Sequence, residues 1–239
     1  MIAFDYLTGK LHGGERPGAI GTKFSPDGAV LRDPGCTLIC HIDQHSYVHA
    51  ALVRAQEALK AGPFARDFTY LPPASFHMTI FDAFIESGRS RARVPAHLPQ
   101  NASVDEITED VSMSVAGVEV PHAFRARPVG IFGGFSISMV GKDAAAEALL
   151  RKTRDQLSAA TRIRASNHDT YRFHITLAYN LRWFEPSEAF QIIALSQDVG
   201  QQFVEDVAEI KVGPVEFCRF DTMHHFERLD LLKGALHFD

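Results

Sequence analysis

The chain is sparing with cysteine and tryptophan and lacks a strong charge bias. Its 239 residues include three cysteines and one tryptophan. An odd, sparse cysteine set (Cys36, Cys40 and Cys218) argues against a disulfide framework and for a reduced, cytoplasmic setting. Cys36 and Cys40 fall in a strand-like run, where two small core residues explain them better than redox chemistry. No uncharged apolar run approaches the ~18 residues of a membrane span. The opening stretch, "MIAFDYLTGKLHGG", lacks a basic start and a long apolar segment, so it does not read as a signal peptide, and no membrane partner is expected. Twenty-four Lys and Arg against 29 Asp and Glu leave a formal charge of −5. Proteins that coat nucleic acid are usually basic. The balance therefore argues against a long duplex and leaves room for a small anionic ligand, or one RNA end in a local pocket. There is no P-loop, no G-x-G-x-x-G after a strand, no CxxC and no G-x-S-x-G. Nothing in the pattern specifies an oligomeric state.

What is present is a repeated stretch. "FHMTI" occupies 76–80 and "FHITL" 173–177, each running apolar, His, apolar, Thr, apolar. Each copy follows a similar prelude. "CTLICHI" (36–42) reads as a buried strand, and Val48, Ala51, Leu52, Ala55 and Leu59 form a helical stripe stopped by Ala61-Gly62-Pro63. "GFSISMV" (134–140) reads as a second strand. Asp143 is an N-cap candidate, and Ala146, Leu149, Leu150, Thr153 and Leu157 repeat the stripe 98 residues on. The motif strands are expected over about 74–81 and 171–179. Ser103 to Glu106 has the form of a capping box, a strand follows near 124–132, and Glu185-Pro186-Ser187 opens a helix running towards Glu205. Strands near 208–220 and 226–232 end the pattern. The expected architecture is α+β and bilobal: a β-α-β-α-β unit duplicated with pseudo-symmetry around a central cleft. The expected division is an N-terminal wrap over 1–35, a first lobe over about 36–132 and a second over about 133–239.

Alternate residues of a strand share a face. His77 and Thr79 therefore point one way with Ser75, and Phe76, Met78 and Ile80 the other. Arg172, His174 and Thr176 likewise share a face, opposite Phe173, Ile175 and Leu177. If the lobes are related by a pseudo-twofold axis, two imidazoles and two hydroxyls surround one small volume. Such a set suits phosphodiester cleavage: a neutral His takes a proton from the attacking oxygen and a protonated His gives one to the leaving oxygen. Imidazole is the side chain for which both forms exist near neutrality. The threonine hydroxyls can hydrogen-bond the non-bridging oxygens, and no metal is required. H-x-[ST] alone is weak, since twelve histidines give on the order of one match by chance. A third copy, His168-Asp169-Thr170, lies in the polar stretch "SNHDTYR" and reads as a loop feature. The matched flanks and spacing of the other two carry the signal.

These residues resemble the two-histidine (2H) phosphoesterase superfamily, also called LigT-like. Its hallmark is two H-x-[ST]-x motifs on facing strands of a duplicated, bilobal fold with largely antiparallel sheets. "GTKFSPDGAVLRDPGCTLICHI" and "YRFHITLAYN" are similar to a poorly characterised bacterial and fungal branch of it. The resemblance implies His77 and His174 as the catalytic pair, Thr79 and Thr176 as phosphate ligands, and no cofactor. It also implies metal-independent action on 2′,3′-cyclic phosphates, ADP-ribose cyclic phosphate, 2′–5′ linkages or RNA ends, without selecting among them.

Several further residues have two readings. Arg172 is either a bidentate phosphate donor or a solvated strand-end arginine. Arg89, Arg91 and Arg93 form either a solvated loop or a lid over an anionic substrate. Tyr179 reaches a nucleobase only if a bulge interrupts the alternation of its strand. Lys23-Phe24 offers a cation beside an aromatic ring, with no position specified. His41, His45 and His49 recur every four residues like a metal face, but His41 ends a strand and no carboxylate or cysteine in the same segment completes the set. The leading expectation is thus a metal-independent phosphodiesterase for a nucleotide or RNA-end phosphate. A non-catalytic binder of such groups is the alternative from another class, and a metallohydrolase built on the three histidines is the third.

Overall fold

The computed structural model describes residues 2–235. Met1 and residues 236–239, the outer ends of the expected N-terminal wrap and second lobe, lie outside them. The regular elements in chain order are α1 (Ile2–Leu7), β1 (Gly35–His41), α2 (Tyr47–Lys60), β2 (Phe68–Tyr70), β3 (His77–Ile85), α3 (Val104–Val115) and β4 (Val120–Pro121). They continue with β5 (Phe124–Phe132), β6 (Ser136–Gly141), α4 (Ala144–Thr161), β7 (His174–Thr176) and β8 (Ala178–Asn180). The last are α5 (Pro186–Asp206), β9 (Ile210–Val212), β10 (Glu216–Thr222), β11 (His225–Leu231) and β12 (Gly234–Ala235).

Local chemistry accounts for the helix ends. The Ser46 hydroxyl accepts from the His49 amide at 3.1 Å and starts α2. Asp143 does the same for α4 through the Ala146 amide, at 2.9 Å. Ser103 and Glu106 form a reciprocal capping box at α3, and Pro186 occupies the first turn of α5, where its missing N–H costs nothing. The stripes of α2 and α4 bury Val48, Leu52, Leu59, Leu150 and Leu157 in the main core with Met78, Ile80, Ile137 and Ile175.

Eight strands form one curled antiparallel sheet in the order β11-β10-β1-β3-β7-β6-β5-β9. The strand over 124–132 does not belong with β1 and β3, as chain order suggests. Gly133 and Gly134, both at positive φ, turn it directly into β6, and such a short turn pairs its two flanking strands with each other. The run expected over 208–220 is split at Gly213-Pro214, because proline cannot donate to a ladder. Its first part, β9, edges the β5 side, and its second, β10, pairs with β1. The half-sheets β11-β10-β1-β3 and β7-β6-β5-β9 therefore interleave along the chain. They meet at β3 and β7, the two strands that carry the repeated motif. The N-terminal segment is more than a wrap, since Leu7, Ile20 and Phe24 are buried.

The duplication continues into the polar core. Gln56 of α2 is fully buried and donates to Leu71 O at 2.8 Å and Leu177 O at 2.9 Å. Arg154, at the matching place 98 residues on in α4, is also buried and donates to Ile80 O at 2.7 Å. Ile80 and Leu177 are the residues that follow Thr79 and Thr176 in the two motif strands by one position. Each helix thus reaches the motif strand of the other repeat. Leu177 O also accepts from the Leu71 amide, so loss of Gln56 strips its partner mainly from Leu71 O. Gln56→Leu should therefore lower the unfolding free energy by about 1–3 kcal/mol, the cost of one unsatisfied buried carbonyl, as read from urea denaturation.

Candidate functional site

The register of β3 against β7 builds the site. Met78 pairs with Ile175, and both are fully buried. In an antiparallel pair this puts His77 across from Thr176 and Thr79 across from His174, all four on the opposite face from the core. The imidazoles are diagonal neighbours, a relation that separates the two residues by about 7–8 Å and their β-carbons by somewhat less. All four side chains line one cavity of about 250 Å³. The expected convergence of His77, Thr79, His174 and Thr176 is what the fold produces.

Each histidine is oriented by the same local bond. His77 Nδ1 lies 2.7 Å from Ser75 O, and His174 Nδ1 lies 2.8 Å from Arg172 O. A carbonyl only accepts, so both Nδ1 atoms carry hydrogen, and in the neutral ring Nε2 is the acceptor. Burial depresses both imidazolium forms. For His77 the pKa falls to about 4, chiefly through desolvation, with His41 and His174 adding repulsion against the backbone bond and Glu216. The Phe226 ring packs 4.3 Å from the His77 ring and contributes to that dry environment. His174 is also lowered by desolvation, opposed by its bond to Arg172 O and by Asp82, with Lys23 acting against the proton.

Both motif strands carry a bulge just after the threonine. In β3, Thr79 pairs with Ile39 and Phe81 with Leu38, so Ile80 is the extra residue. In the second motif, the Leu177 and Ala178 amides both donate to Phe135 O, at 2.7 and 3.1 Å. A bulge shifts the alternation by one. Asp82 therefore joins His77 and Thr79 on the cavity wall, and Tyr179 joins His174 and Thr176. This is the interruption that Tyr179 needs to face the cavity. Its ring lies 5.1 Å from that of Phe24, under Lys23 Nζ at 5.6 Å, so Lys23-Phe24 acquires a position beside it.

Other candidates fall elsewhere. The Arg172 side chain is exposed and does not line the cavity; strict alternation fails because β7 begins only at His174, and the contribution of Arg172 is its carbonyl. The arginine loop is tied down. Arg89 is held by Glu86, Gln100 O and Ala102 O, and Arg91 by Leu98 O and Ala96 O. Arg93 alone of the three reaches the cavity, bound to Asp82 Oδ2 at 2.7 Å. Asp82 Oδ1 lies 3.5 Å from the buried Arg154, whose guanidinium covers the Tyr171 ring at 3.8 Å. Asp82 escapes the strand pattern because that pattern assumes unbroken alternation; the parallel H-x-T-x-x-D and H-x-T-x-x-Y spacings, which give Asp82 the place of Tyr179, are the available signal, whereas Tyr171 lies ahead of β7 and no local pattern marks it. His168 is buried and bonded to Asp155 at 2.9 Å, outside the cavity.

The spaced histidines do not form a metal face. His41 Nδ1 pairs with Glu216 at 2.9 Å, while His49 Nε2 is turned to Pro73 O at 3.1 Å. Among the described residues, the donor groups close enough to share an ion are His41, Glu216 and Cys218, and Asp155, His168 and Asp169; neither includes His45 or His49. No helix among the described residues is long and apolar enough to cross a membrane.

The family model described as 2H-phosphodiest, a domain of unknown function (DUF1868), matches residues 23–132. The crystal structure of the conserved protein of unknown function ATU0111 from Agrobacterium tumefaciens superposes with a TM-score of 0.89 at 30% identity, over 95% of this chain and 97% of that one. The structure of TT0787 from Thermus thermophilus aligns with a TM-score of 0.44 at 18% identity, over 84% of this chain and 99% of that one. No curated protein matches.

The depressed His77 affinity links protonation to stability. An unfolded His77 takes its proton near the ordinary value of 6.5, the folded one only near 4. Between those values the unfolded state binds more protons, so this group destabilises the fold as pH falls through that window. The His77→Gln protein should lose less stability than the parent between pH 6.5 and 4, as measured by denaturant titration at each pH.

Proposed function

As a member of the 2H-phosphodiesterase family (DUF1868), the chain is, we propose, a metal-independent phosphodiesterase for a nucleotide or RNA-end phosphodiester such as a 2′,3′-cyclic phosphate. The observation that carries this reading is the Met78–Ile175 register, which sets two imidazoles and two hydroxyls on the wall of one small cavity. One imidazole accepts a proton from the attacking water at Nε2. The other donates one from Nε2 to the leaving ester oxygen as the phosphorus–oxygen bond breaks. Thr79 and Thr176 donate their hydroxyl hydrogens to the non-bridging oxygens, whose negative charge increases as water attacks. Proton transfer by the two rings leaves no step that needs a metal.

The size and lining of the cavity support a small substrate. A volume of about 250 Å³ admits a phosphodiester and part of a nucleoside, not a duplex. Tyr179, flanked by Phe24 and capped by Lys23, offers a face on which a base can stack. The formal charge of −5 also disfavours a long polyanion.

Turnover of 2′,3′-cyclic nucleotides and short oligonucleotides with cyclic ends should persist in excess EDTA. His77→Ala and His174→Ala should each cost at least about a hundredfold in kcat/KM. Thr79→Val and Thr176→Val should each cost about a hundredfold, as for loss of one oxyanion donor. Folded protein that binds these ligands without turning any of them over would instead make it a binding protein. Activity abolished by EDTA and restored by zinc would move the chemistry to a metal.

A further inference from the structure

The two imidazoles have different surroundings, and that difference assigns their roles. Resting on the phosphodiesterase reading above, we propose that His174 delivers the proton to the leaving oxygen, that His77 is the base, and that Asp82 is the positioning residue that sets them apart.

The argument starts from the bulge in β3. Without the extra residue Ile80, Asp82 would face away from the cavity with Met78; with it, Asp82 stands beyond Thr79 on the cavity wall. Thr79 lies across from His174, so the carboxylate is at the His174 end of the quartet. The equivalent place at the His77 end is held by Tyr179, which is neutral. The charged and titratable groups around His174 are Asp82 and His77 from β3, Lys23 from the N-terminal segment, and Tyr171, whose ring lies 6.1 Å away. Arg93 and Arg154 stand behind Asp82 and hold it in place. Around His77 the groups are His41 on β1, His174 on β7, and Glu216 on β10, with the apolar Phe226 from β11 against the ring. Glu216 is bonded to His41 Nδ1, and the His41 ring lies 6.2 Å from that of His77. A carboxylate near an imidazole favours its protonated form, whereas a second imidazole and an apolar ring disfavour it; at His77 the pull of Glu216 is set against His41 and Phe226, while at His174 Asp82 is set against Lys23. Attraction to Asp82 is the largest side-chain influence holding the proton on His174, and Lys23 opposes it.

The step balances. His77 Nε2 removes a proton from water, the water oxygen bonds to phosphorus, and the ester bond to the leaving ribose oxygen breaks. That oxygen takes the proton from His174 Nε2. The product is a phosphomonoester with a free hydroxyl, and the two rings exchange one proton with solvent to reset.

Asp82→Asn keeps the shape and removes the charge. In that variant the basic limb of the kcat/KM profile should move to lower pH while the acidic limb stays in place, with about tenfold less activity above neutrality. Arg93→Gln leaves Asp82 less neutralised and should move the same limb to higher pH. Independently of turnover, histidine ring-proton NMR on the free protein, assigned with His77→Gln and His174→Gln, should show His174 titrating above His77. Asp82→Asn should shift only the His174 curve. The proposal is overturned if His77 titrates above His174, or if Asp82→Asn shifts His77, both rings or neither. It also fails if Arg93→Gln leaves the limb unmoved or lowers it, a result that stands even if Asp82→Asn does not fold. Absence of turnover with the expected ring titrations would remove the phosphodiesterase reading and leave the role of Asp82 in setting the two proton affinities intact.

Discussion

The pairing of Met78 with Ile175 is the constraint on which the rest of the molecule depends. Side chains alternate in a strand, so a one-residue slip there would turn His77 and Thr79 into the core and expose Met78. Such a slip would also bury the His77 imidazole and remove the Met78 side chain from the core it shares with α2 and α4. The core therefore holds the register, and the register holds the site. Two similar strands paired antiparallel have a local twofold relation, which places each histidine opposite the other strand's threonine. No loop has to position any of the four residues, so the arrangement is as rigid as the sheet.

Rigid placement leaves polar groups to satisfy. A bulge in each motif strand creates a residue without a ladder partner, and Ile80 and Leu177 are buried in that position. Arg154 donates to Ile80 O, and Gln56 donates to Leu177 O beside the Leu71 amide, each from the helix of the opposite repeat. Arg154 brings a charge that Gln56 does not, and a buried guanidinium needs a partner. Asp82 is that partner, shared with Arg93. The departure from symmetry in the helix thus matches the departure from symmetry on the cavity wall. Asp82 stands where its counterpart is Tyr179, on the side where the helix carries Arg instead of Gln.

The elements whose signal is local were legible in the sequence. The stripes of α2 and α4, the caps at Asp143 and Ser103, and the placement of His77, Thr79, His174 and Thr176 on one strand face all follow from residues within a few positions of one another. What was not legible depended on pairing. Chain order alone puts strand 124–132 with the preceding unit and says nothing of which strand it joins; the Gly133-Gly134 turn decides it. Asp82 is invisible to the strand pattern, and Tyr179 stays conditional, for one reason: a bulge is a relation between two strands, while an alternation rule treats each strand alone. Arg172 failed by the same rule, since its strand starts two residues later than the pattern implies.

On the proposed phosphodiesterase reading, the charge around the quartet bears on how a phosphate is handled. Two cationic side chains, Lys23 and Arg93, line the cavity, and Arg93 is already engaged by Asp82. With both imidazoles depressed by burial, the resting site has little net positive charge to offer an anion. Binding energy must then come from hydroxyl hydrogen bonds, the stacking face of Tyr179 and the field of Lys23. A strongly cationic pocket would hold the ionised product as firmly as the transition state, which lowers the ground state without speeding the chemistry. Neutral donors aimed at oxygens that gain charge only during attack avoid that penalty. On the proposed reaction the leaving group takes a proton from one imidazole while the other gains one from water, so the pair carries the same positive charge before and after the bond breaks and the threonine donors alone respond to the change at the phosphate.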